Sequence, residues 1–149
     1  MSDIVITSAK RTPIGKFMGS LSSFSAPDLG SLVIDSLISE TGISKDIIDE
    51  VILGQVLTGG SGQNPARQTS MLSNLPEKVS ALTINQVCGS GLRSVAIASQ
   101  SISSGQSKII IAGGQESMTN DHHTINVRNG LKMGDGKLKD SMIIDGLWC

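Results

Sequence analysis

The chain has 149 residues, 38% of them hydrophobic, and a formal net charge of −1 from 12 basic and 13 acidic side chains. That length suggests one domain that hides about 70% of its unfolded surface, while near-neutral charge and 2% aromatics argue against nucleic acid as a partner. No run approaches the ~18 apolar residues of a membrane span, the N-terminus lacks a signal-peptide core, and two cysteines, Cys88 and Cys149, are too few for a disulfide framework and fit a reducing, cytoplasmic setting.

Asp3 to Ala9, with Ile4, Val5 and Ile6, alternates and predicts a first strand, followed by a turn at Lys10 to Gly15. Ser25 or Ala26, then Pro27 and Asp28, is a helix start with Pro in the first turn. Leu29, Leu32, Val33, Leu37 and Ile38 continue at helical spacing, Gly42 stops the helix, and Ser44 caps a short helix through Ile48. Glu50 to Leu57 reads as a second strand, Thr58 to Gly62 as a loop, and Asn64-Pro65 as the opening of a helix to about Leu72. Val79 to Asn85 is a third strand, Leu92 to Ser103 a third helix, and Ser107 to Ala112 a continuous apolar strand ended by Gly113-Gly114. Strands alternating with helices predict an α/β fold with a largely parallel sheet. From Met118 onward the strongly apolar runs stop and the chain reads as an extended, loop-rich excursion.

The segment Asn85-Gln86-Val87-Cys88-Gly89-Ser90-Gly91-Leu92 joins the third strand to the third helix. A lone thiol in a Gly-rich turn at a helix start is a geometry that presents a nucleophile. The residues alone leave a second reading open, in which Cys88 is a small buried hydrophobe. The helix dipole offers about 1 kcal/mol at best, so a nucleophile here also needs a base, most often histidine. The only histidines, His122 and His123, fall in the loop excursion and read as an exposed pair; adjacent side chains rarely converge on one metal ion, so no metal site is expected. Gly59 to Gly62 and Gly113-Gly114 lack a phosphate-loop ending and read as tight turns. Gln115 and Glu116 follow the last strand, at the sheet edge where open α/β sheets bind ligands, though Glu116 reads equally as a cap or a surface charge. Lys132, Lys137 and Lys139 form a mildly basic stretch that reads as a solvated loop, with contact to an anionic ligand as the other reading. The third helix carries Arg93 as its only charge and no strong polar face. Such a helix is normally covered on all sides, and one sheet covers only one.

Taken together, Ser8-Ala9-Lys10-Arg11-Thr12-Pro13-Ile14-Gly15, Gly62-Gln63-Asn64-Pro65-Ala66-Arg67-Gln68, Asn85 to Gly91, Ala112 to Met118, and Met133-Gly134-Asp135 through Asp145-Gly146-Leu147 resemble the thiolase family, collinearly from Asp3 to Trp148, and its biosynthetic acetoacetyl-CoA branch best. The resemblance implies a mixed, largely parallel sheet with helices on both faces over residues 1–118, followed by the start of a loop domain over 119–149, with the family's C-terminal domain outside these residues. It implies that the apolar third helix is covered by that other half. It implies that Cys88 attacks an acyl-CoA and becomes acylated, with backbone N–H groups holding the oxyanion, and that a second acetyl-CoA then gives acetoacetyl-CoA. Leu147 matches a leucine that packs on CoA. No cofactor is expected beyond the CoA thioester as substrate, and the complete family enzyme is a homodimer or tetramer. The family's activating histidine, its second cysteine and an oxyanion-hole asparagine belong to the C-terminal half, and the surroundings of Cys149 do not match that second cysteine. Asp121-His122 departs from the small residue and proline of the family pattern. Alternatives are a non-catalytic fragment, one half of a split enzyme, or a related ketoacyl-synthase-type condensing enzyme.

Overall fold

The computed structural model describes residues 3–148; Cys149 lies outside them. Helix α1 (Ala26–Thr41) begins as its sequence predicts: Ser25 Oγ accepts the Asp28 N–H while the Asp28 carboxylate accepts the Ser25 N–H, a reciprocal capping box worth about 1 kcal/mol. It ends at Gly42, whose φ of 64° is the left-handed conformation glycine adopts without a Cβ clash. A 3₁₀ turn at Lys45–Ile47 then leads into strand β1 (Glu50–Gly54). Helix α2 (Pro65–Leu72) is capped by Asn64. Strand β2 (Ser80–Ile84), helix α3 (Ser90–Ser103) and strand β3 (Ile110–Gly114) complete the order.

The three strands form one sheet in the order β2-β1-β3, parallel throughout, with Glu50 opposite Ser80 and Ile110, and Gly54 opposite Ile84 and Gly114. The period of two along β1 decides which helix each residue meets. Val51 and Leu53 point to the side where Ile34 of α1 and Ala66 of α2 close the core with Ile48, Leu75 and Val79. Gly54, on the opposite side, faces the start of α3. Helices thus cover both faces, as an interior parallel sheet requires. Asp49 ties the strand starts together: its carboxylate accepts the Lys108 and Ile109 N–H groups at 2.7 and 3.0 Å, and its own backbone pairs with Ile109 and Ser80.

Two sequence expectations fail here. Asp3 to Ala9 is not a strand; it runs without ladder bonds, with Val5 70% and Ile6 78% exposed. It flanks a groove of about 620 Å³ whose other walls are α1, α3 and β3. Alternation marks a segment that suits a sheet, but a strand exists only where a neighbour supplies its hydrogen bonds. Gly113 and Gly114 are not a turn: both lie in β3, paired with Leu53 and Gly54. Gly114 is small because α3 comes down on this end of the sheet, and a Cβ on it would stand 3.3 Å from the Gly91 Cα; one on Gly113 would meet only Leu53 Cδ2, at 3.9 Å.

The stretch after Met118 is mostly exposed. It holds a 3₁₀ turn at Met118–Asn120, a short antiparallel pair of strands β4 (His123–Thr124) and β5 (Lys139–Asp140), and a π-helical turn at Met142–Leu147. No helix among the described residues is long and apolar enough to cross a membrane.

Candidate active site

Cys88 is exposed and unpaired in the turn between β2 and α3, one residue before the Gly89 N-cap. The turn is built by local bonds. Val87 has φ of +48°, a conformation that costs a β-branched residue roughly 1–3 kcal/mol and persists only where its surroundings impose it. Here Asn85 Oδ1 accepts the Val87 N–H at 2.8 Å. Ser90 Oγ closes the other side, accepting the Gln86 N–H at 2.8 Å and donating to the Val87 carbonyl at 2.6 Å. Ser90 is 4% exposed, so its hydroxyl is largely withdrawn from water. Gly89 N–H returns to the Gln86 carbonyl at 3.0 Å. The thiol therefore sits on a stapled loop at the positive end of a 14-residue helix, beside N–H groups with no intrahelical acceptor.

The sheet fixes where that helix starts. An added Cβ on Gly54 would stand 2.5 Å from the Ser90 Cβ, so only glycine lets α3 approach β1 this closely. Ser94 Oγ, fully buried, lies 2.7 Å from the Gly113 carbonyl and 2.6 Å from that of Gly91. Cys88 thus stands beyond the carboxyl ends of parallel strands, where open α/β sheets place their ligands.

Under this end lies a buried polar network. Gln115 Nε2 donates to Gln55 Oε1 at 2.9 Å, Gln55 Nε2 donates to the Leu57 carbonyl at 2.8 Å, and Thr69 Oγ1 lies 2.7 Å from Gln115 Oε1. Glu116 is neither a cap nor a surface charge. Its Oε2 accepts the N–H groups of Val56 and Leu57, at 2.8 and 3.4 Å. Burial pushes its carboxyl above the usual range against the pull of these bonds, and Asp121 adds like-charge repulsion. Neither Glu116 nor Gln55 could be ranked from the sequence, because both act through backbone groups that only the fold brings near.

The other candidates are scattered. His122 lies over Gly60, where an added Cβ would stand 2.9 Å from its Nδ1. The His122 carbonyl is held by Ser141, whose Oγ also lies 2.8 Å from Asp121 Oδ2. His123 faces Asp140 across the β4–β5 pair at 3.8 Å. Both histidines are exposed, as expected, and no hydrogen bond joins either to Cys88 among the described residues. Those residues contain no cluster of three metal-ligating side chains. Thr58 to Gly62 is the expected turn, with φ of +73° at Gly60 and +84° at Gly62. Leu147, 62% exposed, ends the Met142–Leu147 turn. Its neighbour Gly146 rests against Leu57 and Val56, where an added Cβ would meet them at 3.1 and 3.8 Å. Neither Cys88 nor Leu147 lines the 620 Å³ groove, or a smaller hollow of about 320 Å³ between Asn85, Thr58 and the start of α2.

The profile of the thiolase N-terminal domain matches residues 4–149. The chain belongs to the thiolase family. Among curated relatives, it is 55% identical over 147 residues to the acetyl-CoA acetyltransferase of Allochromatium vinosum, covering 98% of this chain and 37% of that protein. It is 52% identical over 149 residues to the acetyl-CoA acetyltransferase of Cupriavidus necator, and 53% identical over 149 residues to the probable acetyl-CoA acetyltransferase of Escherichia coli, covering 99% of this chain and 38% of each. The chain thus spans under two-fifths of the length of these relatives.

Proposed function

We infer that Cys88 is the acyl-accepting nucleophile of an acetyl-CoA acetyltransferase, and that residues beyond these 149 are needed for turnover. The observation that carries this is an exposed thiol on a strained, stapled turn at the N-terminus of α3. Relatives that match nearly the whole chain bear the name of that activity.

In the first half-reaction Cys88 Sγ attacks the carbonyl carbon of acetyl-CoA. The C–S bond to CoA breaks, the Cys88 proton leaves with CoA thiol, and an acetyl thioester remains on Cys88. N–H groups at the turn face the negative charge that gathers on the carbonyl oxygen. In the second, a second acetyl-CoA loses a methyl proton to a base, and its carbon attacks the Cys88 thioester. Acetoacetyl-CoA forms and the Cys88 thiolate leaves; thiolysis is the reverse. Leu147 packs on CoA. The base and the group that activates Cys88 come from the family's C-terminal half, with 1–118 as the α/β domain and 119–149 as the start of a loop domain. Losing a general base costs about 10²–10⁴-fold, so acetoacetyl-CoA formation by this chain alone is negligible. A reducing, cytoplasmic setting and a dimer or tetramer suit the complete assembly.

The open side of α3 favours a second component, supplied by the same polypeptide or by another chain. Leu92 on this helix is 79% exposed, although the helix has no strong polar face. The test is peptide mass mapping after incubation with acetyl-CoA, paired with an acetoacetyl-CoA assay. A slow acetyl adduct on Cys88 that Cys88→Ser abolishes is expected. An adduct confined to other residues, or thiolase turnover at ordinary rates without a second component, defeats the reading.

A further inference from the structure

Glu116 is not at the thiol, yet its bonds lead there. Its carboxylate holds the N–H groups of Val56 and Leu57 at the end of β1. The carbonyl of Val56 in turn accepts Asn85 Nδ2 at 3.4 Å, and Asn85 Oδ1 accepts the Val87 N–H at 2.8 Å, directly before Cys88. The same two residues support the other candidate: Gly146, beside Leu147, rests against Leu57 and Val56. One carboxylate thus anchors the short loop on which both the thiol turn and the Leu147 turn lean.

The geometry points to Glu116 as a positioning residue for the Cys88 turn, acting through the backbone of Val56 and Leu57 and through Asn85. Bond type gives the reason. One side-chain oxygen, Oε2, accepts both N–H groups at once, which its two or more lone pairs allow and which an amide oxygen at the same place can also do. The Val56–Leu57 segment lies past the last β1–β2 and β1–β3 pairs at Gly54, so no ladder holds it. Without Glu116 the loop loses both of its N–H partners and keeps only the bond from Gln55 Nε2 to the Leu57 carbonyl, so the Val56 carbonyl that orients the Asn85 side chain, and through it the positive φ of Val87, is less firmly placed. The proposal concerns the acyl-transfer reading, and rests on Cys88 being the reacting thiol.

Amide exchange of the intact chain, resolved by residue, tests it across four variants. Glu116→Ala removes the carboxylate, Glu116→Asp withdraws it by one methylene, and Asn85→Ala cuts the route downstream. Glu116→Gln keeps an oxygen in reach of both N–H groups. Exchange at the bonded Gln86 and Val87 amides is expected to rise at least tenfold in the first three and to stay within threefold of wild type in Glu116→Gln, while amides of 51–53 and 111–113 keep their protection. A merely structural role would loosen those strand amides to the same extent as the turn, and that outcome overturns the proposal. Unchanged exchange at Gln86 and Val87 in Asn85→Ala or Glu116→Asp overturns it too, even if Glu116→Ala does not fold. Acetyl transfer to Cys88 is scored separately: its absence in the wild type defeats the nucleophile reading and leaves the exchange pattern to be judged by itself.

Discussion

Gly54→Ala probes the contact that sets the position of the thiol turn. The added Cβ would stand 2.5 Å from the Ser90 Cβ, 2.6 Å from the Ser90 carbonyl carbon and 2.8 Å from the Gly91 nitrogen. Carbon contacts settle at about 3.5–4.0 Å, so the start of α3 must retreat by about 1 Å. None of the three atoms is the end of a flexible side chain, so rotation cannot relieve the clash. Overpacking of this kind costs about 1–3 kcal/mol. The retreat also stretches the bond from Ser94 Oγ to the Gly113 carbonyl, adding about 1 kcal/mol. A total of about 2–4 kcal/mol corresponds to roughly 4–16 °C in Tm for a chain of this length. A 1 Å displacement of a reacting group can cost about 10²-fold in rate, so acetyl transfer to Cys88 should fall further than stability alone predicts. Gly113→Ala is the control: its Cβ meets only Leu53 Cδ2, at 3.9 Å, and its Tm should stay within about 4 °C of wild type. Thermal and urea unfolding followed by far-UV circular dichroism read both variants. Equal stability of Gly54→Ala and Gly113→Ala would refute the claim that close approach of α3 to β1 places the turn.

Four further outcomes follow from the same geometry. Ser90→Ala leaves the Gln86 N–H and the Val87 carbonyl without their buried partner and should cost about 1–3 kcal/mol, read by urea unfolding; a neutral variant would mean the staple does not hold the turn. Glu116 is raised above its ordinary 4.5 by burial, so its contribution to stability is full below that value and lost as pH rises through the folded-state value; Glu116→Gln should flatten this part of the urea-midpoint profile, and an unchanged slope counts against it. Asp49 has the opposite sign, lowered from 3.8 by the Lys108 and Ile109 N–H groups, so its contribution is present above 3.8 and lost as pH falls through the folded-state value; Asp49→Asn should lose that acid-side dependence. Leu147→Ala should weaken CoA binding to the complete assembly about fivefold, or ~1 kcal/mol, while the exposed position leaves Tm unchanged; equal CoA affinity would remove Leu147 from the site.

Some features of this protein were legible as sequence because the forces behind them are local. Ser25, Pro27 and Asp28 start α1 and Gly42 ends it through bonds and φ values within a few residues. The alternation of helices with strands and the parallel pairing it predicts follow from hydrophobic periodicity along the chain. The Asn85 to Leu92 segment marked Cys88 by the same logic, since strand, glycine turn and helix are all written there. What the sequence left open depended on contacts made across the fold. Ile4, Val5 and Ile6 have the alternation of a strand, but no neighbour reaches them with a ladder. Gly113 and Gly114 look like a turn, but they are strand residues, and Gly114 is kept small for Gly91, more than twenty positions away. Glu116 and Asp49 are ordinary acids in sequence, and their roles come from N–H groups about sixty residues distant. Composition and period set the elements because those depend on neighbours along the chain; only tertiary packing decided which carboxylate, serine and glycine hold the thiol turn, because burial and hydrogen bonding depend on neighbours in space.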